Sequence, residues 1–181
     1  MKEIELQTNG FINTFDLIIV QAGVGSWPSA VAHFAACHPK LKNAKIMCVE
    51  PYESDCLLES AKRNIRTATI KSQKTIMAGL NCGTPSLLAW ELLKDNTDVF
   101  LSINDSYALE AMKKYYFPAV GDPSIEAGES GAAGLAAVLA LLSDTELKPV
   151  QKYLSINKNT QVLLFNTEGI TDPEFFRKNI E

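Results

Sequence analysis

The 181-residue sequence lacks long apolar runs, paired-cysteine motifs and concentrations of basic residues. No stretch reaches the roughly 18 unbroken apolar residues of a membrane span, and Lys2 to Glu5 lack the apolar segment of a secretory signal. The four cysteines form no CxxC pair, which fits a reducing cytoplasm. Because the net charge is −4 and the basic residues are scattered, we expect a small-molecule ligand and neither a nucleic-acid nor a membrane partner.

Internal repeats, low-complexity segments and linkers rich in Gly, Ser or Pro are also absent. A chain of this length buries roughly 70% of its unfolded surface when it folds as one unit. The sequence therefore predicts a single domain over residues 1–181.

Short apolar runs without clean polar alternation are typical of strands buried on both faces of a sheet. Four such runs span residues 15–21, 44–50, 99–103 and 161–166. Segments of helical character span residues 29–37, 54–64, 85–96, 105–116, 130–142 and 144–155, with a final turn from Pro173. Because alternating strands and helices imply right-handed crossovers, we predict an α/β fold: an open parallel sheet of about four strands with helices on both faces.

Capping residues mark two of these helix starts. The segment Ser143-Asp144-Thr145-Glu146 has the capping-box pattern, with Ser143 as the predicted cap. Asp172 precedes Pro173, a residue favoured at the first helical position because its missing N–H is not needed there.

A pair of glycines follows the first predicted strand, in Ala22-Gly23-Val24-Gly25-Ser26. A strand that ends here and leads into a helix points free backbone amides at one spot, where the helix dipole also attracts an anion. Each hydrogen bond to a phosphate oxygen contributes about 1.5–3 kcal/mol, so three or four hold a phosphate without a lysine. The alternative is that Gly23 and Gly25 only permit a tight turn, and the motif alone leaves both interpretations open.

A dinucleotide site is the first competing interpretation of this turn. Glu50 ends the second predicted strand about 25 residues further on, near where a ribose-binding acid belongs. The G-x-G-x-x-G pattern, however, places its third glycine at Pro28, where close helix packing requires the absence of a side chain. We therefore discount a dinucleotide.

Four further segments accompany QAGVGS in order along the chain. They are VEPYESDCLLESA (49–61), TIMAGLNCGTPSLLAWELL (75–93), GDPSIEAGESGAAGL (121–135) and NTEGITD (166–172). Together these segments resemble diaminopropionate ammonia-lyases, members of the pyridoxal-phosphate family with the fold of the tryptophan synthase β chain. The resemblance runs from about residue 15 to residue 172 at natural spacing.

The resemblance implies which residues bind the cofactor, pyridoxal 5'-phosphate. Its phosphate would be held by the backbone amides of the glycine turn, which are those of Gly23, Val24, Gly25, Ser26 and Trp27. Glu129, in GESGA, corresponds to a residue near the cofactor ring in relatives; the alternative for Glu129 is a carboxylate favoured by a helix N-terminus.

The resemblance further implies a contact with the pyridine nitrogen from the loop after the last strand. Asn166 occupies that position, with Thr167 beside it, whereas serine is the usual occupant in the family. An asparagine amide also donates a hydrogen bond, although its longer side chain shifts or tilts the ring.

The chemistry implied by the family needs residues that this sequence lacks. Family enzymes carry the cofactor on a lysine as a Schiff base, and in diaminopropionate ammonia-lyases that lysine lies in the N-terminal half. None of the fourteen lysines here has that context, and Lys74 is predicted to be a solvated loop charge. We therefore predict no catalytic residue in this chain.

The chain thus resembles the C-terminal, cofactor-binding portion of a lyase, inactive alone and taking its amino-acid substrate only with an N-terminal half. The complete enzyme would convert 2,3-diaminopropionate to pyruvate and ammonia. One alternative is a non-catalytic module that binds pyridoxal phosphate or another phosphorylated ligand. Another is a degenerate interaction protein that keeps only the fold.

Two further expectations concern metals and self-association. Because a structural zinc site needs four ligands, His33, Cys37 and His38 predict no metal site, and His33 and Cys37 are expected to share a helix face. Without strands from an N-terminal half, a parallel sheet edge and an apolar face would be exposed, so we predict a homo-oligomer.

Overall fold

A computed structural model describes residues 2–7 and 15–180. The two ends of the predicted domain, Met1 and Glu181, lie outside the described residues. The elements are α1 (Lys2–Gln7), β1 (Leu17–Gln21), α2 (Ser26–Cys37), β2 (Lys45–Pro51), α3 (Cys56–Arg63), α4 (Leu87–Asn96), β3 (Val99–Ile103), α5 (Asp105–Tyr116), α6 (Ala133–Ser143), α7 (Lys148–Tyr153), β4 (Val162–Leu163) and α8 (Pro173–Asn179). Short 3-10 turns lie at Tyr52–Ser54, Ala78–Leu80 and Thr145–Leu147.

The four strands form one parallel sheet in the order β3-β2-β1-β4. Every residue of β1 is buried, as expected for a central strand covered on both faces. The predicted α/β fold with an open parallel sheet of four strands is therefore confirmed.

Helices cover both faces of this sheet because successive strand side chains point to opposite sides. Leu17 and Ile19 of β1 belong to a core with α5 and α6, whereas Ile18 and Val20 belong to a second core with α2 and α4. Among the described residues, no helix is long and apolar enough to cross a membrane.

The last strand is shorter than predicted. Only Val162–Leu163 pairs with β1, whereas the apolar run predicted residues 161–166. Beyond Leu163 the backbone leaves the ladder, and the carbonyl of Phe165 instead accepts a hydrogen bond from the Gln21 side chain, at 2.9 Å.

Five helix starts also differ from the prediction: α2, α3, α4, α6 and α7 begin at residues 26, 56, 87, 133 and 148, against predicted starts at 29, 54, 85, 130 and 144. Helix α2 begins at Ser26 instead of residue 29, which places Pro28 in the first turn, where a missing N–H is tolerated. Helix α6 begins at Ala133 instead of residue 130, and residues 129–132 before it form a turn in which Ala132 donates to the carbonyl of Gly128 at 2.9 Å. The Ser130 hydroxyl accepts a hydrogen bond from the amide of Gly79 at 3.0 Å. The sequence patterns do not predict the N-terminal helix α1.

The predicted capping box at Ser143 is wrong, whereas the predicted cap at Asp172 is confirmed. Helix α6 continues through Ser143, whose hydroxyl donates to the carbonyl of Leu139 at 2.8 Å, so Asp144 caps the next turn instead. Asp172 accepts from the amides of Glu174 and Phe175 at 3.1 and 2.9 Å. Because the Ser143 hydroxyl is hydrogen-bonded within α6, it does not cap the next turn.

Candidate functional site

The glycine turn joins the end of β1 to the start of α2. Gly25 precedes the helix with φ of 96°, a left-handed conformation that favours glycine. A Cβ at this position would lie 3.0 Å from Leu93 and 3.1 Å from Ala89 in α4. Both the backbone conformation and the close approach of α4 therefore explain the glycine.

Backbone amides of the turn are available to a ligand. In the described part of the chain, the amides of residues 23–27 donate no hydrogen bond. The groups on either side are paired: Ala22 donates to Val49 at 2.8 Å and Ser29 donates to Gly25 at 2.9 Å. Five unpaired donors therefore lie at the N-terminus of a 12-residue helix, an arrangement that is able to hold an anion.

These residues line a cavity of about 400 Å³, which we call the turn cavity. It is lined by residues 23–28 together with Gln21, Gly79, Leu80, Cys82 and Thr167. Of the residues proposed from the sequence, the structure thus brings together the glycine turn and Thr167. Within the described residues, no lysine lines this cavity, and Lys74 is exposed elsewhere.

Gln21 connects the turn to the loop after β4. Its side chain is 2% exposed, and its Nε2 donates to the Thr167 hydroxyl at 2.7 Å as well as to the Phe165 carbonyl. Within the described residues its Oε1 is buried without a hydrogen-bond partner. Sequence reasoning did not select Gln21, although a glutamine in an otherwise apolar strand requires polar partners and was a usable signal.

Asn166 lies in a neighbouring cavity, which we call the edge cavity. This second cavity, also about 400 Å³, is lined by α1 residues, Trp27 and residues 163–167. The Asn166 amide donates to the carbonyl of Glu126 at 3.1 Å. Trp27 and Thr167 line both cavities, and the Trp27 ring packs edge-on against Phe165 with centroids 5.3 Å apart.

Glu129 lines neither the turn cavity nor the edge cavity. It lies in the turn before α6 and is half-buried. Burial raises the pKa of its carboxyl, and the nearby carboxylates of Glu168 and Asp172 act in the same direction. Glu129 is therefore grouped with two other acids instead of with the free amides of the turn.

Glu168 is a second residue that sequence reasoning missed. Its carboxylate accepts from the amide of Ser130 at 2.9 Å, and its carbonyl accepts from the amide of Gly128 at 2.9 Å. A Cβ on Gly131 would lie 2.5 Å from the Glu168 carbonyl oxygen. The segments GESGA and NTEG therefore contact each other through backbone atoms, and this close contact accounts for the small residues.

Glu50, the residue considered for a ribose contact, is used inside the fold. It is fully buried, and its two carboxylate oxygens accept from the amides of Leu57 and Leu58, each at 2.8 Å. Burial raises the pKa of Glu50 to about 8, although the two amides act in the opposite direction. Its hydrogen bonds stabilise the first turn of α3.

The three residues considered for a metal lie on or beside α2. His33 Nε2 and Cys37 Sγ are 3.9 Å apart, as expected for one helix face. Across residues 2–7 and 15–180, no group of three His, Cys, Asp or Glu side chains could hold a metal ion.

Comparison with known proteins adds to this geometry. The family model described as pyridoxal-phosphate dependent enzyme matches residues 1–158. The diaminopropionate ammonia-lyase of Escherichia coli K12 is 34% identical over 161 residues, which cover 89% of this chain and 40% of the relative. The corresponding protein of Salmonella typhimurium is 33% identical over 162 residues, with 88% and 40% covered. The chain thus spans 40% of the length of these curated relatives.

Solved structures of related enzymes also match this chain. The Escherichia coli diaminopropionate ammonia-lyase in complex with D-serine matches with a TM-score of 0.86 and 31% identity, over 99% of this chain and 44% of that one. Threonine deaminase isoform 2 of Solanum lycopersicum matches with a TM-score of 0.78 at 19% identity, over 98% of this chain and 46% of that chain. The second likeness concerns the fold alone.

Proposed function

This chain belongs to the pyridoxal-phosphate dependent enzyme family, and we propose that its glycine turn binds the phosphate group of pyridoxal phosphate. The observation that carries the proposal is the set of unpaired amides at residues 23–27, which face the turn cavity. Amide donors match the acceptor oxygens of a phosphate, and the N-terminus of α2 favours its negative charge. The residues present therefore fit the phosphate without a basic side chain.

We further propose that the chain is the cofactor-binding portion of an ammonia-lyase that acts on 2,3-diaminopropionate and forms pyruvate and ammonia. Its similarity to diaminopropionate ammonia-lyases over 89% of its length supports this activity for the whole protein. When bound, the cofactor supplies an electron sink that acidifies the α-proton of an amino acid. The role of this chain is to hold the phosphate and the adjoining part of the ring, and the substrate would bind only together with the rest of the lyase.

A non-catalytic binding module is the second candidate function. The turn cavity contains no lysine among its described lining residues, so covalent attachment of an aldehyde there would need an amine from elsewhere. Such a module would take pyridoxal phosphate or another phosphorylated small ligand. In either case we propose a cytoplasmic location, which suits four free cysteines of which Cys48 and Cys56 are buried.

A carboxylate placed in the turn cavity is expected to weaken phosphate binding. Val24 is an exposed turn residue that lines the cavity, so Val24→Asp adds a negative charge beside the free amides without backbone strain. We expect the affinity for inorganic phosphate and for pyridoxal phosphate, measured by titration calorimetry, to fall at least about tenfold. Unchanged binding, or a wild-type chain that binds neither ligand, would contradict the proposal.

Gly25→Asp gives an independent test with a matched control. This change adds the same charge but also strains the backbone and brings the side chain into contact with α4. A control variant must therefore show how much of the effect on binding comes from strain alone. Gly121 has a similar positive φ of 101°, has no atom within 4 Å of the position that a Cβ would take, and does not line the turn cavity. Gly121→Asp should therefore retain phosphate binding that Gly25→Asp loses.

We also propose that the chain self-associates. Among residues 2–7 and 15–180, strands β3 and β4 each pair on one side only, and large apolar side chains such as Ile70 and Leu88 are 88% and 77% exposed. Unpaired parallel edges and exposed apolar groups favour association. Light scattering over a concentration series should give a mass above 19.8 kDa, and a strict monomer at all concentrations would contradict this expectation.

A further inference from the structure

We propose that Gln21 is a positioning residue that makes Thr167, and not Asn166, the hydrogen-bond donor to the ring of a ligand in the turn cavity. This inference rests on the proposed function, because it concerns the ring of a ligand whose phosphate occupies the glycine turn. It changes the residue to which the family resemblance assigned this contact.

Asn166 is held away from the turn cavity by its own hydrogen bonds. Its Nδ2 donates to the carbonyl of Glu126 at 3.1 Å, and its Oδ1 accepts from the amide of Glu168 at 3.4 Å. A Cβ on Gly131 would collide with that same Oδ1, so the amide packs closely against the 128–131 loop. The Asn166 side chain lines the edge cavity instead of the turn cavity.

Thr167 lines the turn cavity beside the free amides, and its hydroxyl oxygen is already used as an acceptor. Gln21 Nε2 donates to it at 2.7 Å. A hydroxyl that accepts a hydrogen bond still has its own hydrogen to donate. Among the described residues no acceptor takes that hydrogen, so Thr167 presents a donor to the cavity.

Gln21 determines which partner donates in this hydrogen bond, because its side-chain amide can take only one orientation. The Phe165 carbonyl lies 2.9 Å from Nε2, and exchanging the amide atoms would place two acceptors against each other. The side chain is 2% exposed, so water does not provide an alternative partner for Nε2. With both hydrogens of Nε2 donated, Gln21 forces Thr167 Oγ1 into the acceptor role and leaves its hydrogen for a ligand.

The Thr167 hydroxyl, as a donor, selects a ligand whose ring carries a hydrogen-bond acceptor. An unprotonated pyridine nitrogen is such an acceptor, whereas a C–H group at the same place is not. Discrimination between a nitrogen and a carbon at one ring position is therefore the signature of this arrangement.

The first test compares Thr167→Val with Thr167→Ser. Three probes are titrated into each variant: pyridoxine phosphate, whose alcohol cannot condense with lysines, its analogue with carbon in place of the ring nitrogen, and inorganic phosphate. We expect Thr167→Val to lower the affinity for pyridoxine phosphate about five- to tenfold and to leave the affinities for the other two probes unchanged. Thr167→Ser should retain wild-type affinities, and Asn166→Ser should change each by less than about twofold.

The second test addresses Gln21. Gln21→Met keeps the length of the side chain but removes both donors, so it should cause the same selective loss as Thr167→Val. The double variant should be no weaker than either single variant, because the two residues act through one hydrogen bond. Circular dichroism of each variant establishes that the fold is retained, and a merely structural effect would weaken all three probes together.

The possible outcomes separate the two proposals. Equal loss for all three probes, or a selective loss in Asn166→Ser and not in Thr167→Val, would overturn the role of Gln21 and Thr167 while leaving phosphate binding by the wild-type chain intact. A wild-type chain that does not bind phosphate would contradict both proposals.

Discussion

Gly131→Ala is expected to lower the free energy of unfolding by about 3 kcal/mol. A Cβ at this position would lie 2.5 Å from the carbonyl oxygen and 2.9 Å from the amide nitrogen of Glu168. Both are backbone atoms, so no side-chain rotation relieves the contact and the 128–131 and 166–169 loops must separate. The loss is measured by chemical denaturation followed by circular dichroism.

Gly169→Ala is the matched control, because Gly169 belongs to the same pair of loops. No atom lies within 4 Å of the position that its Cβ would take, and its φ is not in the left-handed region. We expect a change within about 0.5 kcal/mol, with a reduced entropy of the unfolded chain acting in the stabilising direction. If the two variants unfolded at the same denaturant concentration, the backbone contact between the loops would be disproved.

Glu50→Gln is expected to change how stability depends on pH. In the folded chain burial raises the pKa of Glu50 from 4.5 to about 8. Between these two values the folded state binds a proton that the unfolded state has released, so stability falls as pH rises. The contribution of Glu50 has a slope of up to about 1.4 kcal/mol per pH unit, and glutamine removes it.

The same substitution also weakens the fold at low pH. Glutamine offers one carbonyl oxygen where Glu50 accepts from two amides, so one buried N–H loses its partner at a cost of about 1–3 kcal/mol. Unfolding free energies of the wild-type and variant chains from pH 5 to pH 8 test both effects. Glu91→Gln, at an exposed position paired with Lys94, is the control because it removes a carboxylate without removing a buried hydrogen bond. Parallel wild-type and Glu50→Gln profiles would contradict the assignment.

Local patterns were sufficient to predict most of the fold. The bounds of β3 and α5 agree with the prediction residue by residue, because a short apolar run and an amphipathic segment carry their own periodicity. The Asp172 cap was equally local. Ser143 shows where such reasoning fails: a capping pattern does not indicate that the preceding helix continues through its first residue.

In the candidate site, too, only the features formed by residues close in sequence were predictable. The free amides follow from a strand, a glycine pair and a helix within a few residues of one another, so the sequence contained them. Gln21 and Glu168 acquire their roles from partners 146 and 38 positions away, at Thr167 and Ser130. No local period encodes such pairings. The resemblance to a family indicated the loop and both Asn166 and Thr167, but not which of the two lines the turn cavity.

The pairing of β1 with β4 also determines when the site forms during folding. Strands β1, β2 and β3 lie within the first 103 residues and can pair with one another early, whereas Leu17 must wait for Val162. Closing so long a loop is slow, because its entropy is lost before any contact compensates for it. We therefore expect the free amides of the glycine turn to be positioned by early, short-range contacts, and the Gln21–Thr167 hydrogen bond, 146 positions apart, to be among the last contacts to form.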